Sequence, residues 1–274
     1  MRSQWESYAA MLLPVTLPHC SRPFYMQFDL GSPYSLFYNP ALQEIQSKYP
    51  KTKLLTDSTA TLKNFVFSVG NIPVAATEIM VKQFSSPKIN WSEKKGMDII
   101  GTIGADLIDG RVISIDYPQR KITIGPDIPR GLKPDIELSD FVYAGKSVLL
   151  PAVIKGKQTM LFFDTGSSAY ELLTDKKTFE TLSVPNTTPL QYKVKSWDRV
   201  LTAHTTASKD SVRISFKNVP LNSVTYIEGA SSAQVEQMMK MGIGGMTGNK
   251  LFINYRLLLD TKNKKFGVLN RLND

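Results

Sequence analysis

Phe28-Asp29-Leu30-Gly31-Ser32 and Phe163-Asp164-Thr165-Gly166-Ser167 are two versions of one motif. In each stretch an aspartate ends an apolar run and is followed, one residue later, by a glycine and a serine. Two carboxylates brought face to face can share one proton, so that one acts as base and the other as acid toward a single water molecule. The pair of motifs therefore predicts acid–base hydrolysis, with Asp29 and Asp164 as the catalytic residues.

The similarity extends beyond the two motifs and keeps one order along the chain. A shift of 135 residues (164 minus 29) aligns Tyr25–Phe28 with Met160–Phe163. A second shift, of 144 (248 minus 104), aligns four pairs: Gly104 with Gly248, Leu107 with Leu251, Asp116 with Asp260, and Lys121 with Lys265. Ordered matches of this kind are typical of a duplicated unit.

Three short helices are predicted. The shift of 135 also aligns Asn39 with Thr174, and both residue types are good helix N-caps. They are expected to begin helices over Pro40–Ser47 and Asp175–Leu182. A third helix is expected over Ser231–Met241, because its apolar residues fall on one face.

Short apolar runs bounded by turn residues dominate the rest of the chain, and such runs are typical of β-strands. The predicted strands are Phe24–Phe28, Phe65–Val69, Val112–Ile115, Lys121–Ile124, Val148–Ile154, Met160–Phe163, Val212–Phe216 and Arg256–Leu259. Asp116 and Asp260 each end a strand before a turn and are expected to serve that turn. The expected fold class is all-β, with few short helices.

A stretch rich in proline and glycine, Gly125–Pro134, lies where the first copy of the repeat ends and reads as a connector. The sequence therefore predicts two lobes, an N-terminal lobe over 1–135 that carries Asp29 and a C-terminal lobe over 136–274 that carries Asp164. Each lobe is long enough to bury its own core.

Composition is that of an ordinary globular protein, with 42% hydrophobic and 21% charged residues. No apolar run reaches the roughly 18 residues that a membrane span needs. The net charge of +9 comes from scattered lysines and arginines, so a nucleic-acid partner is not expected. We expect a monomer, secreted or periplasmic if a leader was removed and cytoplasmic otherwise.

Other kinds of active site find little support in the sequence. Clusters of histidine, cysteine or carboxylate with metal-ligand spacing are absent, so neither a metal nor a cofactor is expected. The single cysteine, Cys20, lies beside His19 in a segment flanked by prolines, and neighbours on a strand point in opposite directions. We interpret Cys20 as a structural thiol.

The chain resembles the pepsin and retropepsin superfamily of aspartic peptidases. Phe162–Ser168 is similar to the Asp-Thr-Gly signature of that family, and Gly248–Val268 is similar to the C-terminal segment of pepsins. Gly101–Ile108 looks more like the retropepsin version of the same element. Together these motifs span nearly the whole chain.

The resemblance implies a bilobal acid-protease fold of two duplicated, barrel-like lobes, with one catalytic aspartate from each lobe in the cleft between them. It implies an aspartic endopeptidase that hydrolyses peptide or protein substrates with a water activated by Asp29 and Asp164. Four further residues are expected to support the catalytic loops: Gly31 and Gly166 by close backbone approach, and Ser32 and Ser167 by hydrogen bonds to the outer carboxylate oxygens. The shared-proton mechanism is taken over from that family.

Two positions depart from the family pattern. Leu30 stands where active relatives have Thr or Ser, whose hydroxyl bonds to backbone across the two loops, and Thr165 retains that hydroxyl. The segment Leu54–Asn64, where pepsins carry a flap tyrosine and glycines, has neither. The alternative interpretation is therefore a pepsin-like binding protein that is catalytically weak or inactive.

Overall fold

The computed structural model describes residues 10–54, 60–84, 88–93, 96–166, 168–196, 199–229 and 238–270. The chain divides into two compact units. One is Met11–Leu107, here called the barrel unit, and the other takes the described chain from Ile108 onward and is here called the sheet unit. Each unit is described by itself.

The barrel unit consists of one helix and six strands: α1 (Asn39–Lys48), β1 (Leu12–Thr16), β2 (Phe24–Phe28), β3 (Leu36–Tyr38), β4 (Thr61–Val69), β5 (Ile72–Lys82) and β6 (Ile99–Ile103). The strands close into a barrel in the order β1-β2-β6-β3-β5-β4. Most neighbours are antiparallel, but β2 pairs with β6, and β3 with β5, in parallel. Closure leaves no unpaired sheet edge around the ring.

Alternation along the strands fills the barrel with apolar side chains. In β2, Phe24, Met26 and Phe28 are fully buried, while the intervening residues are half-buried. The rings of Phe37 and Phe67 lie edge to face at 5.4 Å between centroids. Burying each such side chain contributes about 1.5–3 kcal/mol, so the alternating pattern, rather than any single contact, stabilises this unit.

Helix α1 packs on the barrel through Ala41, Leu42 and Ile45, which share one buried face. The predicted N-cap, Asn39, does not cap it: the cap position is Tyr38, and the Asn39 amide donates to Gln83 Oε1 at 2.9 Å. A proline in the first turn lacks the N–H that a cap would satisfy, which relaxes the need for one.

The described part of the sheet unit includes helix α2 (Lys176–Leu182) and twelve strands: β7 (Val112–Asp116), β8 (Lys121–Gly125), β9 (Ser139–Asp140), β10 (Val142–Ala144), β11 (Ser147–Ile154), β12 (Lys157–Phe163), β13 (Leu190–Ser196), β14 (Arg199–Ile214), β15 (Lys217–Glu228), β16 (Ile243–Thr247), β17 (Arg256–Asp260) and β18 (Lys265–Leu269). Short 3₁₀ segments in the two units are Pro50–Thr52, Ala105–Ile108, Arg130–Asp135 and Asn249–Phe252.

Two sheets form this unit. The larger runs β13-β14-β11-β12-β16, with β10 beside β11 and β15 beside β14, and the smaller runs β8-β7-β17-β18-β9. Val112, Leu132 and Leu258 form a buried cluster beneath the smaller sheet. Because β7 hydrogen-bonds to β17, the hairpin β7–β8 belongs to the sheet unit, and the spatial division falls at residue 108. The lobe boundary near residue 135 stays a prediction about the duplicated sequence.

Every predicted strand overlaps an observed one, and Phe24–Phe28 coincides with β2. The largest difference is β14, which starts at Arg199 instead of Val212 and ends at Ile214, because Ser215 adopts a left-handed φ of 54° in the turn to β15. The predicted turn roles are confirmed: Asp116 accepts from Gln119 N–H at 3.0 Å, and Asp260 accepts from Asn263 N–H at 2.9 Å.

Two further helix predictions have mixed outcomes. Helix α2 is capped by Asp175, whose Oδ1 accepts from Thr178 N–H at 3.1 Å, and not by Thr174. The Thr174 hydroxyl instead donates to the Gly244 carbonyl at 2.7 Å, and so holds β16. Most of the predicted helix over Ser231–Met241 lies outside the described residues. Within its described part, residues 238–240 are helical. In the described part of the chain, no helix is long and apolar enough to cross a membrane.

The cap of α2 gives a pH-dependent prediction. Partial burial works to raise the pKa of Asp175, but hydrogen bonds from the hydroxyl and N–H of Thr178 and from Lys177 N–H lower it more, so the pKa lies below its ordinary value of 3.8. A lowered carboxyl pKa contributes stability that is present above the unfolded-state pKa and is lost as pH falls through the folded-state pKa. Asp175→Ala is expected to lower the free energy of unfolding by about 1 kcal/mol at pH 7.

Asp175→Asn provides the matched control, since asparagine caps helices as well as aspartate but carries no charge. Urea unfolding from pH 7 down to pH 3 should show a higher free energy of unfolding for wild type than for Asp175→Asn near neutrality, and the difference should shrink as pH falls below about 4, through the lowered folded-state pKa. A difference that is independent of pH would contradict the assignment.

Candidate active site

The first aspartate lies where β2 ends. Phe28 closes the strand inside the barrel, and Asp29 N–H donates to the carbonyl of Ile103 on the parallel strand β6 at 2.9 Å. The carboxylate turns back on its own loop, because its Oδ1 accepts from Gly31 N–H at 2.9 Å. Ser32 N–H donates to the Asp29 carbonyl at 3.2 Å. Backbone bonds on both sides therefore fix the direction of this carboxyl group.

The second aspartate has the same frame in the sheet unit. Phe163 closes β12, and Asp164 N–H donates to the carbonyl of Thr247 on the parallel strand β16 at 2.9 Å. Asp164 Oδ1 accepts from Gly166 N–H at 2.7 Å. Asp164 is 9% exposed, whereas Asp29 is half-buried. The predicted support residue Ser167 lies outside the described residues.

The strand pairs beneath the two loops also agree in detail. In β2–β6 the register shifts between Tyr25 and Met26, and in β12–β16 it shifts between Met160 and Leu161. These positions differ by 135 (160 minus 25), the offset already found between the motifs. An irregularity of strand pairing at equivalent positions is a specific feature, and it supports the proposed duplication.

Glycines that follow the partner strands let the chain pass directly beneath each loop. A Cβ on Gly104 would lie 2.5 Å from the Tyr34 carbonyl carbon and 2.8 Å from the Ser32 oxygen. A Cβ on Gly248 would lie 2.6 Å from Ser168 Cα and 2.7 Å from the Asp164 oxygen. These are backbone atoms, which cannot move aside without displacing the loop. The sequence repeat had aligned Gly104 with Gly248, but it did not show this close approach.

The predicted roles of the supporting residues differ from the observed bonds in one case. The Ser32 hydroxyl donates to the Tyr34 carbonyl at 2.9 Å, where a bond to the outer oxygen of Asp29 was predicted. Serine hydroxyls readily bond to backbone two residues away, and here that local bond is made. Gly31 and Gly166 each donate an N–H to the aspartate of their own loop, and their close backbone approach stays a prediction. Thr165 is fully buried, and its carbonyl accepts from Asn249 Nδ2 at 3.2 Å.

Two acids that no sequence motif marked accept hydrogen bonds from backbone near the loops: Asp106, which is half-buried, and Glu171, which is buried. Asp106 accepts from both the N–H and the hydroxyl of Ser35, at 2.9 and 2.6 Å, and that hydroxyl in turn accepts from Gly104 N–H at 3.0 Å. In the sheet unit, the Glu171 carboxylate accepts from Ser223 N–H at 3.0 Å. Nothing in their sequence spacing marks these residues, because their partners lie 71 and 52 positions away.

The two positions that depart from the family pattern are Leu30 and the predicted flap segment. Leu30 is 1% exposed and belongs to the largest fully buried side chains. An apolar side chain is thus well accommodated at this position. The segment Leu54–Asn64 includes residues outside the described part of the chain, and strand β4 begins within it, at Thr61.

A tyrosine stands near the first aspartate. The Tyr38 hydroxyl lies 2.9 Å from the Thr102 hydroxyl, and the Tyr38 ring meets Phe84 edge to face at 5.6 Å. Burial raises the pKa of Tyr38, the hydrogen bond to Thr102 opposes this, and the negative charge of Asp29 raises it further. Tyr38 is therefore a neutral phenol within the electrostatic field of Asp29.

The fold is similar to that of a solved structure, the aspartic proteinase from Irpex lacteus. The alignment has a TM-score of 0.54 and 9% sequence identity, and it covers 96% of this chain and 94% of the other. At such identity the similarity concerns the fold alone. No protein-family model and no curated protein matches the sequence. The predicted all-β, pepsin-like fold class is thus confirmed.

The glycine crossings generate a stability prediction. Gly104→Ala and Gly248→Ala should each lower the free energy of unfolding by about 2 kcal/mol or more, because the added methyl overlaps backbone of an aspartate loop. Gly131→Ala is the matched control, since a Cβ there meets nothing within 4 Å. The measurement is urea unfolding at neutral pH, and equal stability of all three variants would refute the close approach.

Proposed function

We propose that this chain is an aspartic endopeptidase in which Asp29 and Asp164 act together on one water molecule. The observation that carries the proposal is the frame shared by the two acids. Each ends a buried strand, donates its N–H to a parallel partner strand, and accepts a glycine N–H on Oδ1. A protein that only needed two surface carboxylates would have no reason to hold both in the same way.

The chemistry follows from two carboxyl groups that carry one proton between them. The ionised carboxylate takes a proton from water as the water oxygen attacks the peptide carbonyl carbon, and the protonated carboxyl hydrogen-bonds to the carbonyl oxygen. The tetrahedral intermediate then collapses, the C–N bond breaks, and the nitrogen leaves with a proton delivered from the acids. The products are a free carboxyl and a free amine, and the pair returns to its starting charge.

Fixed orientation is what the observed hydrogen bonds contribute. A carboxylate held by Gly31 or Gly166 on one oxygen cannot rotate freely, so its position relative to a water molecule is set before substrate arrives. Such preorganisation avoids reorganisation during the reaction. Leu30 removes one hydroxyl from the family pattern, a loss of about 1 kcal/mol for one buried hydrogen bond, which its own burial offsets.

The proposed mechanism gives a prediction for the two acids. Wild type should cleave members of a mixed peptide library between mildly acid and neutral pH, with the products identified by mass spectrometry. Asp29→Asn and Asp164→Asn should each reduce turnover at least about 100-fold, because the pair then lacks either its base or its acid. Asp127→Asn, which changes an exposed carboxylate outside both loops, is the control and should cleave like wild type.

Cleavage that persists in Asp29→Asn would overturn the proposed mechanism. Absence of cleavage by folded wild type at every pH would instead favour a non-catalytic peptide-binding protein.

A separate prediction concerns the role of Leu30 in activity and stability. Leu30→Thr should change turnover by less than about tenfold and should lower stability, because it buries a hydroxyl in an apolar site. Leu30→Val, which shortens the side chain without adding a polar group, separates lost packing from the polar effect. Proteolysis that appears only in Leu30→Thr would show that leucine at this position inactivates the native chain.

A further inference from the structure

One face of the barrel next to Asp29 carries polar side chains. Strand registers place Thr102 of β6 between Gln27 of β2 and Leu36 of β3. The residues that alternate with them, Phe28 and Phe37, are fully buried inside the barrel. Because successive side chains on a strand point to opposite faces, Gln27, Leu36 and Thr102 lie on the outer face.

Tyr38 lies on the same outer face, two residues beyond Leu36 on β3. Its hydroxyl is paired with that of Thr102, and its ring is held by Phe84. Asp29 N–H donates to the carbonyl of Ile103, the residue that follows Thr102 on β6, so the hydroxyl pair lies beside the strand ends that carry Asp29. Gln27 precedes Asp29 by two residues on β2. Asp29 therefore has hydrogen-bonding side chains beside it. The barrel itself does not require them, because apolar side chains at these outer positions would be equally compatible with the fold.

We propose that the Tyr38–Thr102 hydroxyl pair, together with Gln27, binds a neutral hydrogen-bonding side chain of the peptide, an amide or a hydroxyl, next to the bond that is cleaved. This inference rests on the proposed function, since it names the substrate preference of the same site. It makes Tyr38 and Thr102 specificity-determining residues rather than catalytic ones.

The preference follows from hydrogen-bond capacity. Two hydroxyls hold two protons, and their mutual bond uses one, so the pair can donate a second proton and still accept. An amide or hydroxyl side chain satisfies this capacity, whereas a leucine side chain covers the pair and removes it from water without replacing those bonds. An acidic side chain is disfavoured by the charge of Asp29.

The test uses binding, so that it does not depend on turnover. Asp164→Asn serves as the parent protein, because it keeps Asp29 beside Tyr38 and slows cleavage. Its affinity is measured by fluorescence for an array of octapeptides in which each central position is Asn, Gln, Ser, Thr, Leu, Phe, Lys or Glu in turn. At one central position the parent should bind the amide and hydroxyl peptides at least about fivefold more tightly than the leucine peptide.

Variants locate the preference. Adding Tyr38→Phe and Thr102→Val to the parent should bring that ratio close to one, while the Tyr38→Phe ring can keep its contact with Phe84. Tyr25→Phe removes a hydroxyl from the far end of β2 and is the matched control, which should leave the ratio unchanged. If the double variant fails to fold by thermal unfolding, Tyr38→Phe alone decides, with at least a twofold fall expected.

The two proposals fail in different ways. No polar preference in the parent, a preference for lysine, or a preference that survives in the variants would overturn this inference even if wild type cleaves peptides. A polar preference with no cleavage by wild type would leave the inference standing and would overturn the proposed enzymatic activity.

Discussion

The close crossing of two backbones beneath each aspartate constrains the rest of the structure. Gly104 and Gly248 approach the carbonyls of the loops above them so closely that a Cβ has no space. The crossing is possible because β2 and β12 run parallel to β6 and β16, which bring the glycines to the ends of the same strands that carry the acids. The barrel and the larger sheet are, in this sense, supports for two tight loops.

The two aspartate loops have the same backbone hydrogen bonds, but different side chains hold them in place. In the barrel unit, Asp106 and Ser35 connect the loop to the Gly104 crossing through charged and neutral hydrogen bonds. In the sheet unit, Glu171 reaches β15, and Asn249 bonds to the Thr165 carbonyl. Each hydrogen bond to a carboxylate contributes about 1.5–3 kcal/mol, more than a hydrogen bond between two neutral groups. The two motifs thus hold the same carboxylate frame by different side chains.

The strands and the positions of both acids could be predicted, because strand alternation and the repeat are local properties of the sequence. Side-chain partners could not. Ser32 bonds to the nearby Tyr34 carbonyl, and the helix caps fall on Tyr38 and Asp175, one residue from the predictions in each case. Tyr38 gave no signal as a neighbour of Asp29, since its place depends on the register of three strands.

A shared water is tested most directly by a crystal structure with a peptide whose scissile amide is replaced by a non-cleavable –CH(OH)–CH₂– group. The carbon of this group imitates the tetrahedral carbon formed by water attack, and its hydroxyl imitates an oxygen on that carbon. If the two acids act on one water molecule, this hydroxyl is expected within about 2.6–3.2 Å of a carboxylate oxygen of both Asp29 and Asp164. A peptide whose hydroxyl contacts only one of the two acids, or neither, would contradict the claim that they act on one water molecule.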